Sequence, residues 1–140
     1  MARMLSTPVT FRAQRPVRSN VADYDDIMPK INRALSIRQP YAEWIMTGEK
    51  PIEYRSRRTH IRGRVYIYAA KNPGAREDFE EMGLQPGDLP VGVLIGTVEI
   101  VGCTDNGSEY EWHLAQPRRL REPIKPTGVP QPGFFKPFKD

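Results

Sequence analysis

Apolar and polar residues alternate in short bursts along most of this chain, and glycines and prolines punctuate the bursts. Ala34-Leu35-Ser36-Ile37 has the period of a short strand. Gln39-Pro40 then opens a helix over Pro40–Thr47, with Pro40 in the first turn, where its missing N–H has no helical partner to lose. Tyr41, Trp44 and Ile45 fall at i, i+3 and i+4 and predict the buried stripe of that helix, with Ala42 beside them. Gly48 is placed to end it as a left-handed C′ residue. Pro51 to Tyr54 reads as a strand, with Ile52 and Tyr54 on one face and Glu53 and Arg55 on the other. Arg64 to Ala70 is the clearest β run. Ala75 to Met82 predicts a short acidic helix ended by Gly83, and Leu84 to Asp88 a turn. Val91 to Val101 is a long, nearly continuous apolar strand. Its glycines predict curvature or a bulge of the kind that closes barrels. A further strand is expected over Tyr110–Leu114, before a Pro/Arg-rich stretch that ends in Gly133-Phe134-Phe135-Lys136-Pro137-Phe138.

Strands dominate, with one helix inserted early and a second short one. That order suits an α+β, β-rich fold: a small mixed β-barrel with helices at its mouth, rather than a parallel sheet layered between helices. A length of 140 residues, 39% hydrophobic residues, 14 prolines and 11 glycines point to one small domain rich in turns. Residues 1–31 read differently. Arg3, Arg12, Arg15 and Arg18 lie among Ser, Thr, Pro and Gln with no acid before Asp23, a basic extension ahead of a domain over 32–140. Pro8 and Pro16 interrupt the amphipathic helix that an organelle-targeting reading requires. Cys103, the single cysteine, excludes an internal disulfide and a multi-thiolate zinc site. There is no apolar run of membrane-spanning length, so a soluble, cytoplasmic protein without a membrane partner is expected. No metal-ligand spacing and no phosphate-cradling glycine loop occur, so neither a metal nor a cofactor is expected.

The net charge of +4 (pI near 9.4) matters less than where it sits. Gly48-Glu49-Lys50-Pro51-Ile52-Glu53-Tyr54-Arg55 is a G-x-K-x-x-E-x-R string at a helix-to-strand turn. It opens a run of five arginines (Arg55, Arg57, Arg58, Arg62, Arg64) with no acid among the last four. Lys50 can neutralise the helix dipole or, in a cleft, bind a phosphate or polarise a carbonyl. Glu53 and Arg55 share a face, which fits a structural ion pair. It fits equally a carboxylate that accepts a base amino group beside a phosphate-holding guanidinium. Glu99, flanked by apolar residues, either faces solvent or is paired in a cleft. The arginine run reads as a solvated loop or a phosphate grip, reinforced if Arg118, Arg119, Arg121 and Lys125 share its face. Tyr41, Trp44, Tyr54, Tyr66, Tyr68 and Trp112 are core residues or base-stacking platforms.

The Leu35-Ser36-Ile37-Arg38-Gln39-Pro40-Tyr41-Ala42 segment, the G-x-K-x-x-E-x-R string, the strand Val93 to Val101 and Trp112-His113-Leu114-Ala115-x-Pro117-Arg118-Arg119 together resemble the ASCH domain of the PUA-like superfamily. The resemblance covers about residues 33–138. It implies a barrel with a charged cleft beside the first helix, and a partner that is RNA or a modified nucleoside. With the arginine run read as a phosphate grip, Arg38, Tyr41, Lys50, Arg55, Arg57, Arg58 and Arg62 are the expected nucleic-acid contacts. A few such proteins are metal-independent hydrolases, either ribonucleases or N4-acetylcytidine amidohydrolases. On that alternative Lys50, Glu53 and Glu99 would be catalytic, with Glu53 or Tyr41 moving protons. The amidohydrolase set has a threonine three residues after its lysine; here that position is Glu53, which speaks against nucleophilic deacetylation. Oligomeric state is not legible.

Overall fold

The structure, a computed structural model, describes residues 30–139. The expected basic extension therefore lies outside the described residues, save Lys30 and Ile31. The elements run β1 (Ala34–Ile37), α1 (Tyr41–Thr47), β2 (Ile52–Arg55), β3 (Gly63–Ala69), α2 (Arg76–Glu80), β4 (Val93–Asp105), β5 (Tyr110–Ile124) and β6 (Phe134–Phe135). They form one six-stranded sheet in the order β2-β5-β4-β3-β1-β6. Only β1 and β3 are parallel, with Ala34 opposite Tyr66 and Ile37 opposite Ala69. The other pairings are antiparallel. The architecture is the expected β-rich α+β fold, a sheet curled into a partial barrel whose end strands β2 and β6 are not hydrogen-bonded to each other.

β5 is longer than its residue types suggest. Thr97 pairs with Arg118 and Glu99 with Ala115, so Gln116 and Pro117 together stand opposite Val98 in a β-bulge. Gln116 has φ 52° there. A bulge needs no ladder N–H from its extra residue, so it admits a proline that an even ladder would reject. The strand therefore continues through the Pro/Arg-rich stretch instead of stopping at Leu114. Across from the bulge, Gly96 lies under α1: a Cβ at this position would run into Met46 Sδ and lie 2.6 Å from the Arg118 carbonyl oxygen. Glycine is what lets β4, β5 and the helix approach one another this closely.

The main core lies on the face of the sheet under α1 and is built from Leu35, Ile45, Ile67, Val98, Ile100 and Leu114, among others. A smaller cluster of Ala34, Tyr68, Leu94 and Phe135 forms separately, with Tyr66 and Phe138 against it. α1 buries Ala42, Ile45 and Met46. The expected stripe is thus turned: Tyr41 and Trp44 are half-buried and pack edge-on against each other, 5.8 Å apart. Positions 42, 45 and 46 satisfy the helical period as well as 41, 44 and 45, and the strands beneath decide between them. Gly48 ends the helix at φ 87°, its N–H on the Ile45 carbonyl, as the sequence predicts.

Candidate nucleic-acid interface

The charged string sits on the outermost strand. Glu53 pairs with Trp112 and Arg55 with Tyr110 across β2 and β5. Because opposed residues point to the same side, Glu53 and Arg55 share the face of the buried Trp112. Tyr54 points the other way and is 48% exposed. The polar residues of this strand therefore turn inward and the aromatic outward, the reverse of an ordinary half-buried strand.

Lys50 is anchored before its side chain begins. Its N–H bonds to the Trp44 carbonyl at 3.0 Å, satisfying an orphan acceptor at the end of α1. Leu114 N–H donates to the Pro51 carbonyl, so the Ile52 carbonyl next along β2 points to the free edge. The Lys50 ammonium donates to that carbonyl at 2.7 Å and lies 3.4 Å from Glu53 Oε1. It also stands 5.4 Å from the centre of the Tyr54 ring. Arg55 Nε holds Glu53 Oε2 at 2.7 Å, its Nη2 donates to the Ser36 carbonyl on β1 at 2.9 Å, and its guanidinium lies 5.3 Å from the Trp112 ring centre. The side chains of Lys50, Glu53 and Arg55 are 19%, 12% and 26% exposed, a plus-minus-plus ladder drawn partly out of water. Phe134 of β6 stacks on Trp112 at 5.4 Å with ring planes 6° apart. Arg55 and this ring stack thus bridge the two ends of the sheet that no strand pairing joins. Beside Lys50 lies a small cleft of about 60 Å³, walled by Ile45, Pro51, Val98, Leu114 and Pro117.

The arginine run divides into two roles. Arg62 Nη1 donates to the Thr59 and Ile61 carbonyls at 3.1 and 2.8 Å, and Arg64 Nη1 to Thr97 Oγ1 at 2.7 Å. These two hold their own loop and strand together. Trp112 Nε1 donates to the Arg57 carbonyl at 2.9 Å. On this pinned backbone Arg57 and Arg58 are exposed, the Arg58 guanidinium 4.9 Å from the Tyr110 ring centre. Arg38 is exposed just past β1. In the second basic cluster, Arg119 grips both oxygens of Glu43 on α1 at 2.9 Å, and this bond holds its guanidinium above its ordinary pKa.

Two expected site residues stand apart from this ladder. Glu99 lies between the buried Val98 and Ile100, so alternation turns it away from the core face, opposite Arg64 and Ala115. Among the described residues no ion pair joins it to Lys50, whose carboxylate partner is Glu53. Tyr41 donates its hydroxyl to Asp78 Oδ2 at the start of α2, and this bond, then burial, push its pKa up to about 12. It therefore keeps its proton through the neutral range, with the hydroxyl directed to Asp78. The Trp112–Phe134 stack and the Ser36 carbonyl were not legible in the sequence: they meet across large separations, and no local pattern pairs them. Among the described residues, no group of three or more His, Cys, Asp or Glu is placed to hold a metal ion, and no helix is long and apolar enough to cross a membrane.

Two curated relatives are similar over 80 residues. Activating signal cointegrator 1 of Homo sapiens is 36% identical and that of Mus musculus 35%, each match covering 49% of this chain and 14% of the relative. The chain thus corresponds to a small part of those proteins. Among solved structures, a mutant of ZmASCH from Zymomonas mobilis aligns over 69% of this chain and 76% of its own, at 17% identity and a TM-score of 0.47. A family model for the ASCH domain matches residues 35–130, from β1 through the end of β5 and beyond, and the chain belongs to the ASCH domain family.

Proposed function

We propose that this chain is an RNA- or nucleoside-binding ASCH domain, spanning about residues 32–140, which grips phosphates with the Arg57–Arg58 loop and contacts base or sugar at the edge beside Lys50. The observation that carries the reading is the pinned arginine loop. Its backbone is tied by Trp112 and Arg62, so two exposed cations are presented on a fixed support, next to Tyr110 and the net-positive Lys50–Glu53–Arg55 ladder. Cations held in place lose little freedom when they meet a phosphate, and flanking aromatic rings accept bases of any identity. A charged cleft of this kind also fits what the ASCH resemblance implies.

The same geometry favours binding over hydrolysis. Glu53 already has a cation on each oxygen, and the Lys50 ammonium is engaged by Ile52 and Glu53. No free base faces a polarising group there. The test is the affinity of a short single-stranded RNA measured over a salt series. Affinity should fall steeply with salt. An Arg57→Glu/Arg58→Glu variant should bind at least about tenfold more weakly, for unrelated sequences alike, with the log–log salt slope shallower by about 2. Salt-independent binding, or a variant that binds like the parent, would refute the phosphate grip. Turnover of the RNA or of acetylcytidine would instead favour the hydrolase reading.

A further inference from the structure

Two rows of side chains cross the outer face of the sheet at its β2 end. Ile52, His113 and Gly102 make one, and Tyr54, Glu111 and Thr104 the next. Residues opposed in a row point to the same side, here away from Trp112 and the main core. Tyr54 and Thr104 are exposed, and the other four are half-buried. Among the described residues, Tyr54 is the only tyrosine, tryptophan or phenylalanine that is exposed. The face around it is held in place. The His113 imidazole shares a 2.8 Å hydrogen bond with Thr104 Oγ1, and it lies over Gly102, where a Cβ would meet its Cδ2 at 3.4 Å. Asn106 Nδ2 donates to Glu111 Oε2 at 3.0 Å, and no hydrogen bond from a described residue reaches Oε1. Tyr54 and Glu111 face each other across a rung, where Cβ atoms lie about 5 Å apart. The Lys50 ammonium stands 5.4 Å from the centre of the Tyr54 ring. A flat ring, an open carboxylate oxygen and a cation are thus gathered at one strand edge. A nucleotide can use all three: its base stacks on the ring, an amino group of the base donates to the carboxylate, and its phosphate meets the ammonium. Glu111 repels a phosphate, which keeps the backbone at the Lys50 edge and leaves the base over the face.

We propose that Tyr54 is the stacking platform for a nucleotide of single-stranded RNA, and that Glu111 selects a base with an exocyclic amino group. The inference rests on the RNA-binding reading and deepens it. Tyr54 lies three residues before Arg57, a backbone span of at most about 10 Å, so a strand gripped at the arginine loop passes the platform. The inverted pattern of β2 then has a purpose on each side. Its inward charges tie the sheet ends together, and its outward ring meets the ligand.

The test is fluorescence anisotropy of the full chain with end-labelled octamers of adenylate, cytidylate and uridylate, and with an abasic octamer that carries the same phosphates. Tyr54→Val keeps a good strand former at the edge but removes the ring. It should bind the adenylate octamer at least about fivefold more weakly than the parent, with the same salt slope. Tyr54→Phe, which restores the ring, should recover most of that loss. The abasic octamer should bind the parent and Tyr54→Val alike, which also shows that the variant is folded. The parent should bind cytidylate at least about fivefold more tightly than uridylate, which has a carbonyl where cytosine has its amino group, and Glu111→Val should abolish most of that preference. Adenylate affinity unchanged in Tyr54→Val overturns the platform, and the arginine-loop reading then stands or falls on the Arg57→Glu/Arg58→Glu variant. Equal losses on the adenylate and abasic octamers overturn it too, because Tyr54 then acts only through the ammonium beside it. A cytidylate preference that survives in Glu111→Val overturns the amino-group selection. Loss in Tyr54→Val, with full binding by the loop variant, keeps the platform and refutes the phosphate grip.

Discussion

Replacing Lys50 by methionine separates what this residue does for the fold from what it does for a ligand. The side chain lies against an apolar cleft and is only 19% exposed, so methionine retains most of the packing and removes the charge. The 2.7 Å bond to the Ile52 carbonyl and the 3.4 Å ion pair with Glu53 go, together with the ammonium's 5.4 Å approach to the Tyr54 ring. The carbonyl lies on a free strand edge, where water can replace the ammonium, so its loss is worth about 0.5–1 kcal/mol. The ion pair is partly desolvated, yet Glu53 keeps Arg55 at 2.7 Å, so its loss costs about a further 0.5–1 kcal/mol. The sum, roughly 1–2 kcal/mol, corresponds to a Tm lower by about 4–10 °C for a domain of this size. The assay is thermal unfolding by circular dichroism, paired with RNA affinity measured well below Tm. A ligand-contacting Lys50 should in addition show about tenfold weaker RNA binding, the equivalent of about 1.4 kcal/mol. Lys50→Arg should recover part of both. An unchanged Tm would refute the edge-capping argument. A lowered Tm with unaltered RNA affinity would confine Lys50 to the fold.

Other expectations rest on equally specific contacts. Arg55→Lys cannot hold Glu53, the Ser36 carbonyl and the Trp112 ring at once, and should lose about 2 kcal/mol in chemical denaturation; a loss under about 0.5 kcal/mol would mean that the sheet ends hold without it. Gly96→Ala forces a methyl against the Arg118 carbonyl and Met46 and should cost about 1–3 kcal/mol, whereas Gly107→Ala, in open space, is limited to the strain of its positive φ. Tyr41 should ionise near pH 12 in an ultraviolet titration. Because its folded pKa lies above the ordinary 10.0, the Asp78 bond contributes fully below about pH 10 and is lost as pH rises through about 12. Tyr41→Phe should therefore destabilise by about 1 kcal/mol at pH 8, and the difference should vanish above pH 12.

How much of this was legible depended on how far apart the partners lie in the chain. The helix over 40–47, its Gly48 terminator and the strand cores at 34–37, 52–54 and 64–69 follow from spacings of a few residues, and all are present. Of the expected stripe of α1, Ala42 and Ile45 are buried, whereas Met46 takes the deep position in place of the half-buried Tyr41 and Trp44, because two overlapping stripes fit a two-turn helix equally well. β5 was cut short because a proline argues against a strand until a bulge is known to stand there. The charged string was visible as charge, but not as a strand edge with its polar side chains turned inward.

Composition and local periodicity alone were enough for a β-rich fold with one early helix, and for a concentration of cations between Lys50 and Arg64. Those properties come from side-chain alternation and turn chemistry within about ten residues, which act before any distant segment is in place. Tertiary structure decided the rest. Pairing β2 with β5 set Glu53 and Arg55 on the face of Trp112. Pairing β1 with β3 and β6 carried Ser36 and Phe134 to the other lip of the gap, where Arg55 and Trp112 meet them. The same alternation set Glu99 opposite Arg64 and Ala115, off the core face of Val98 and Ile100. A strand's local pattern says which residues share a face, but only its partner's register says which way that face looks, because a slip of one residue reverses it.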